Sequence, residues 1–196
     1  MDAPLISGWI AAVLTAIISL PQAIRLARTG TAADVVLLPW QATLFATLAW
    51  SIHGIATGQP TLFVPNSISA VLSTIVVVRV VRLSARPVPV ALALPLALTV
   101  AAFIAQGLLG DAAFGAVILI PSLIGWALQI IEIRGSGWPS GLSVPGLWVI
   151  AACQLAWLGY SIPRDETAIT TAVAPLGAIV LATLCAKAFA PQPVTS

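Results

Sequence analysis

Charged residues are scarce in this chain of 196 residues, since eight are basic and six are acidic, or 7% of the total. A water-soluble globular domain carries about 25% charged residues. Apolar residues make up 60% of the chain, and the mean hydropathy is +1.08. A soluble enzyme and a disordered chain are therefore excluded, and an integral membrane protein is expected.

Metal-binding and catalytic motifs are also lacking. The two cysteines, Cys153 and Cys185, lie inside apolar runs and form no CxxC pair, so we predict no metal site and no cofactor. The net charge of +2 and the scattered basic residues speak against nucleic acid as a partner. No Ser/His/Asp set or carboxylate pair shares one depth, so we expect no enzymatic activity.

Seven apolar segments take up most of the chain. A membrane-spanning helix needs about 20 mostly apolar residues. The segments are continuous and lack the alternation that is typical of barrel strands. The predicted helices are Leu5–Leu26, Val36–Ala56, Leu62–Val81, Val88–Leu108, Ala112–Ile133, Leu142–Ile162 and Ala168–Ala188.

Charge is distributed unevenly between the two sets of helix connections. If the N-terminus lies outside, the basic residues on the cytoplasmic side are Arg25, Arg28, Arg79, Arg82, Arg86, Arg134 and Lys187. The residues left outside are Asp2, Asp111, Arg164, Asp165 and Glu166. This asymmetry satisfies the positive-inside rule. We therefore predict a multi-pass protein of the plasma (inner) membrane with its N-terminus outside and its C-terminus in the cytoplasm.

The middles of the predicted helices contain no Asp, Glu, Lys or Arg. Proton relays and ion-coupled pumps usually keep an ionisable residue at that depth. His53 is the one candidate, and it lies near the outer end of the second helix. Any transport by this chain is therefore predicted to be uncoupled from ions.

The sequence contains an internal repeat at a fixed offset of 107 residues. Residues 48–53 read LAWSIH and residues 155–160 read LAWLGY, which aligns Trp50 with Trp157. The offset maps helices 1–3 onto helices 5–7, and one connecting helix leaves the two triplets parallel. We predict an all-α integral membrane protein with seven transmembrane helices, in which two parallel three-helix repeats are joined by a linker helix (3-1-3). The first repeat is 1–86, the linker is 87–110 and the second repeat is 111–196.

Several motifs resemble those of a known transporter superfamily. Residues 20–22 read LPQ and are followed by two arginines, which resembles the PQ-loop signature of SWEET, SemiSWEET and cystinosin-like proteins. Trp50, His53 and Asn66 resemble the W-x-x-Y-G…N pattern of the SWEET and SemiSWEET sugar facilitators. The resemblance implies a two-repeat, seven-helix transporter, and a sugar is its first candidate substrate.

The second repeat departs from the pattern of that superfamily. Leu128 stands where a second PQ proline is expected, and Val173 stands at the position paired with Asn66. The resemblance implies that an asparagine from each repeat binds the substrate, and this chain supplies one. The resemblance therefore supports the fold more directly than it supports a sugar as the substrate.

Four residues are predicted to bind the solute: Trp50, Asn66, Gln154 and Trp157. The tryptophans offer flat apolar faces to a ring-bearing solute, or they anchor the chain at the membrane interface. Asn66 and Gln154 either bind the solute or join helices by hydrogen bonds. Gln154 precedes Trp157 by three residues and so shares its helix face.

Four further residues are predicted to gate the path or to act as hinges. Pro21 removes a helical hydrogen bond near the cytoplasmic end of helix 1, so Pro21 and Gln22 are expected to move. His53 and Tyr160 lie one turn beyond their tryptophans. They form either a paired outer gate or an interfacial aromatic belt.

Together these features predict a membrane transporter that moves a small polar solute by uncoupled alternating access. One alternative is a non-transporting receptor or assembly factor of the same fold. Another is a proton-coupled, cystinosin-like exporter that uses His53. The expected partners are the solute and the lipid bilayer, and the sequence leaves the substrate, the direction of flux and the oligomeric state open.

Overall fold

A computed structural model describes the backbone of residues 2–29, 37–85, 87–136 and 143–188. Within these ranges, the side chains at 17–29, 129, 132, 134–136 and 186–188 are not described. The described residues form seven α-helices and one short 3-10 turn, which confirms the predicted all-helical fold. The helices are α1 Ala3–Thr29, α2 Leu37–Ala56, α3 Pro60–Leu83, α4 Val88–Leu109, α5 Asp111–Ser136, α6 Val144–Ser161 and α7 Thr167–Ala188.

Local chemistry explains where several helices begin. Pro60 opens α3 two residues before the predicted start, because a proline fits the first helical turn, where its missing N–H is not needed. Ser143 caps α6 and accepts a hydrogen bond from the Gly146 N–H at 2.9 Å. The single residue between α4 and α5 is Gly110, whose φ of 87° suits glycine.

Each of α3 and α7 packs between two other helices. In the first half of the chain, α3 contacts α1 and α2, and in the second half, α7 contacts α5 and α6. The two halves meet where α1 contacts α6 and where α2 contacts α5. Helix α4 lies against α2, α3 and α5.

The surface of this bundle is strongly apolar. Five helices in the described part of the chain are long and apolar enough to cross a membrane: Pro60–Leu83, Val88–Leu109, Asp111–Leu128, Val144–Arg164 and Thr167–Cys185. Large side chains such as Ile75, Val100 and Ile124 are half or more exposed. An apolar exterior of this kind suits lipid as the surrounding medium. Helix α2 is 20 residues long but is not among these five, and the described apolar part of α1 is Ala3–Ala16.

Six helix ends are linked in pairs at one end of the bundle. Arg164, which follows α6, lies 3.9 Å from Asp2 before α1. Gln59 before α3 bonds to Glu166 before α7, and Gln106 at the end of α4 bonds to Asp111 at the start of α5. This end, which also includes Asp165, is called the acidic end below.

Candidate functional site

Trp157 lies in a buried cluster formed by α1, α3, α6 and α7. The cluster consists of Ala11, Leu62, Cys153, Trp157, Tyr160, Ile169, Ala172 and Val173. The indole Nε1 of Trp157 donates to the Thr15 hydroxyl on α1 at 3.4 Å. Its ring meets Tyr160 edge to face, with 5.9 Å between centroids. The Trp157 side chain is thus held inside the bundle. We call this set of residues the Trp157 cluster.

The structure brings Trp50 to the same place from the other half of the chain. The half-buried Trp50 side chain packs against the Trp157 cluster and also against a second cluster that contains Phe114. Its ring lies edge to face with Phe114 at 5.2 Å and with His53 at 5.8 Å. The two predicted tryptophans therefore contact one common set of residues.

Asn66 is buried on α3, one turn beyond Leu62 of the Trp157 cluster. Its side-chain Nδ2 donates to the Leu62 carbonyl at 2.7 Å. This bond remains within α3, so it does not join two helices. The Asn66 amide nitrogen is therefore bonded within its own helix.

Gln154 and Thr61 bring unpaired polar atoms into the buried region. In the described part of the chain, Gln154 Oε1 and Thr61 Oγ1 are fully buried and have no hydrogen-bond partner. Leaving such an atom without a partner costs about 1–3 kcal/mol. Gln154 packs against α7 at Gly177, and Thr61 is adjacent to Leu62. Polar groups of this kind normally have a partner, so both atoms are candidates to bind a solute or water.

Apolar side chains form the side of the site on α7. Val173, at the position paired with Asn66, belongs to the Trp157 cluster together with Ile169 and Ala172. The predicted site therefore has amide and hydroxyl groups on α3 and α6 and aliphatic groups on α7.

His53 lies within the bundle near its acidic end and is only 2% exposed. Its ring stacks on Phe114 at 4.7 Å, and Gln106 Nε2 lies 3.3 Å from its Nδ1. The same Gln106 Nε2 donates to Asp111 Oδ1 at 2.7 Å. The Nε2 atom of His53 is buried and has no partner among the described residues. A belt residue would contact lipid headgroups, whereas His53 contacts two other helices, α4 through Gln106 and α5 through Phe114.

Tyr160 is also buried, and it starts a chain of hydrogen bonds across the bundle. Its hydroxyl donates to Gln59 Oε1 at 3.1 Å, and Gln59 Nε2 donates to Glu166 Oε1 at 2.7 Å. The Arg164 guanidinium lies 5.2 Å from the centre of the Tyr160 ring. These contacts join the connection after α2 to the connection after α6.

The two predicted hinge residues are outside this description. Pro21 and Gln22 belong to α1, but their side chains are among those not described. Their predicted movement stays a prediction.

Several residues near the predicted site were not selected from the sequence. Gln59 contacts Tyr160, and Phe114 contacts His53 and Trp50. Glu166 bonds to Gln59, and Thr61 adjoins Leu62 of the Trp157 cluster. One signal was present, because Gln59 and Glu166 are separated by the repeat offset of 107 residues. Phe114 offered no such signal, since an aromatic residue in an apolar helix is ordinary.

A scan against protein-family models finds none that matches this chain, and a search of curated proteins finds no match. Functional conclusions therefore come from the residues and their geometry.

Proposed function

We propose that this protein is a membrane transporter that moves a small polar solute by uncoupled alternating access between two three-helix units. The units are α1–α3 and α5–α7, with α4 as the linker. The contacts within the two units correspond and support this division. Helix α3 contacts both α1 and α2 in the first unit, and α7 contacts both α5 and α6 in the second. The contacts between units also correspond, since α1 meets α6 and α2 meets α5.

Residue pairs at the repeat offset support a twofold relation between the units. Gln59 and Glu166 are 107 residues apart and share a hydrogen bond. Leu62 and Ile169 have the same separation and lie in one cluster. Equivalent residues of two related units meet only at the axis that relates them. The proposed axis therefore runs between α3 and α7, along the membrane normal as in parallel repeats.

The observation that carries the proposal is that two buried polar atoms, Gln154 Oε1 on α6 and Thr61 Oγ1 on α3, have no hydrogen-bond partner in the described part of the chain. A bundle selected only for stability in lipid would pair or remove such atoms, because each is costly in an apolar medium. A polar solute that passes between the units would supply the missing hydrogen bonds. The tryptophans beside them would contact its apolar surfaces.

We assign the chain Tyr160–Gln59–Glu166 as the outer gate of this transporter. It connects the two units at the acidic end, and Arg164 adds contacts to Tyr160 and to Asp2. Opening that end requires these bonds to break. His53 and its contacts with Phe114 and Gln106 occupy the equivalent place in the first unit.

The orientation in the proposal has the acidic end outside the plasma (inner) membrane. The charged residues at that end are mostly acidic, whereas Arg79 and Arg82 lie at the other end of α3. This separation follows the positive-inside rule. A sugar is the first substrate to test, because the sequence motifs resemble those of sugar facilitators.

The proposal is tested by uptake of radiolabelled hexoses, disaccharides, amino acids and nucleosides into proteoliposomes, with and without a pH gradient. We expect saturable uptake of one class of compound, at a rate that does not depend on the pH gradient. Asn66→Ala removes a buried amide that we expect to bond to the solute, and we expect at least about fivefold lower uptake from the loss of one hydrogen bond. Thr74→Ala is the matched control, because Thr74 also bonds to a carbonyl of α3 and is only half-buried.

Uptake that is absent for every class would contradict the transporter and favour a receptor or assembly factor. Equal loss in Asn66→Ala and Thr74→Ala would contradict the placement of the site.

One observation favours the proton-coupled alternative: His53 is buried and is linked through Gln106 to Asp111. A buried histidine linked to a carboxylate is a suitable proton carrier. Uptake that follows the pH gradient, and that loses this dependence in His53→Gln, would replace the uncoupled mechanism.

A further inference from the structure

One face of α3 is exposed along most of the helix. Its exposed residues Val64, Ile68, Val71 and Ile75 follow one another at intervals of three or four residues, so they lie on one side of the helix. Helices α1, α2 and α4 pack against other parts of α3. The exposed face is therefore apolar and points away from the bundle. We call these four residues the exposed stripe.

The exposed stripe leads to two arginines. Arg79 follows Ile75 by four residues and Arg82 follows Arg79 by three, so both continue the same side of α3. Both side chains are exposed. In the described part of the chain neither guanidinium is paired with a carboxylate, whereas Asp111 and Glu166 are bonded at the acidic end. The protein described here thus supplies no counter-charge for the two arginines.

The arginines lie about one membrane thickness from the acidic end. Arg79 follows Gln59 by 20 residues, and at about 1.5 Å per residue this is about 30 Å of helix. The hydrocarbon core of a bilayer is also about 30 Å thick. Since Gln59 is bonded at the acidic end, Arg79 falls in the opposite headgroup layer. Trp40 packs against Val76 and Val80 on either side of Arg79, and tryptophan is enriched in this layer.

Phosphate is the anion that lipids place in this layer. A guanidinium offers N–H donors in a planar fork that fits two oxygens of one phosphate group. Arg79 and Arg82 are separated by about 4.5 Å along the helix axis, so both can reach the same phosphate. A zwitterionic lipid carries its own cation beside the phosphate. The two arginines therefore favour a lipid with a net negative charge.

We propose that the arginine end of α3 binds one anionic phospholipid. The phosphate bonds to Arg79 and Arg82, and an acyl chain lies along Ile75, Val71 and Ile68 toward the middle of the membrane. The site combines a charge match with an apolar face, so a soluble phosphate would gain only part of its contacts. The inference goes beyond the proposed transport and does not depend on it, because it uses only the outer surface of α3.

Lipid titrations of the purified protein in detergent, followed by native mass spectrometry, test the inference. The probes are dioleoyl-phosphatidylglycerol, which is anionic, and dioleoyl-phosphatidylcholine, which has the same chains and no net charge. We expect the first lipid molecule to bind at least about tenfold more tightly when it is phosphatidylglycerol, since each basic residue near an anionic membrane surface contributes about fivefold. Glycerol 3-phosphate carries the charge without the chains, and an equimolar amount should not displace the lipid.

Three substitutions locate the site. Arg79→Gln and Arg82→Gln each remove one charge from an exposed position, and each should weaken binding of phosphatidylglycerol by about fivefold. Arg164→Gln is the matched control, because it removes the same charge at the acidic end and should leave this binding unchanged. Size-exclusion profiles confirm that each variant is folded.

Equal affinity for the two lipids would overturn the inference. An equal loss in Arg164→Gln and in the two α3 variants would also overturn it, because binding would then follow net charge alone. Displacement by equimolar glycerol 3-phosphate would contradict the role of the exposed stripe. Binding is measured without flux, so a protein that binds the lipid in this way but moves no solute into liposomes contradicts the transporter alone.

Discussion

Two glycines at equivalent positions allow helices to approach closely. A Cβ atom added at Gly8 of α1 would lie 2.6 Å from the Tyr160 ring, and one added at Gly115 of α5 would lie 2.2 Å from the Ala168 carbonyl oxygen. Small residues at such contacts are a common device of membrane helices, where close packing replaces the hydrophobic effect. Gly115 is the stricter position, because a backbone carbonyl cannot rotate away as a side chain can.

We expect Gly115→Ala to destabilise the protein by about 1–3 kcal/mol, the usual cost of an overpacked contact. The measurement is the midpoint of thermal unfolding in detergent. Gly107→Ala is the control, since a Cβ at Gly107 would meet nothing within 4 Å and should leave the midpoint unchanged or slightly raised. Equal midpoints for the two variants would show that α5 and α7 are farther apart than described.

At the scale of the helices, a proline in α4 is compensated by a side chain of α2. Pro95 has no N–H, so the carbonyl of Ala91, four residues earlier, lacks its usual helical partner. Gln41 Nε2 donates to this carbonyl at 2.7 Å. In a bilayer a freed carbonyl needs such a partner, because no water is present to bond to it. This bond helps to attach α4 to α2.

This interpretation predicts coupled effects on stability. Gln41→Leu should lower the free energy of unfolding by about 1–3 kcal/mol, because the Ala91 carbonyl is left unpaired. In a Pro95→Ala background the restored N–H bonds to that carbonyl, so the same substitution should cost much less. The four proteins are compared by unfolding in detergent as a double-mutant cycle. Additive losses would contradict the link between the two helices.

At the scale of the whole molecule, the helix ends separate by charge. Asp2, Asp111 and Glu166 meet at the acidic end through the contacts described above. Arg82 lies in the last turn of α3, at that helix's other end. This separation supports the proposed orientation, in which the basic end faces the cytoplasm.

The proposed orientation is tested with single cysteines in a Cys153→Ala, Cys185→Ala background. Thr57→Cys lies in the exposed connection between α2 and α3, and Ser84→Cys lies after α3. An impermeant maleimide added to intact cells should label the first variant. It should label the second only after the cells are permeabilised. The background without added cysteine is the blank, and the reverse pattern would show that the N-terminus lies in the cytoplasm.

Some features of this protein follow from the sequence alone. The number of helices and the apolar exterior are confirmed, because hydropathy and segment length depend only on neighbours along the chain. Helix starts were predicted less well, since proline and serine at Pro60 and Ser143 act through local geometry. The repeat offset also comes from the sequence, and it predicts which residues are equivalent.

Other features were decided by tertiary structure. The sequence left open whether Asn66 joins helices, and its amide proves to bond within α3. No pattern in the sequence predicts that Phe114 packs against His53 or that Tyr160 bonds to Gln59. These contacts join helices that are far apart in the chain, and they depend on the angle and depth at which whole helices pack. Hydropathy decides that a helix lies in the membrane, whereas the shapes of all its neighbours decide which side chains it meets.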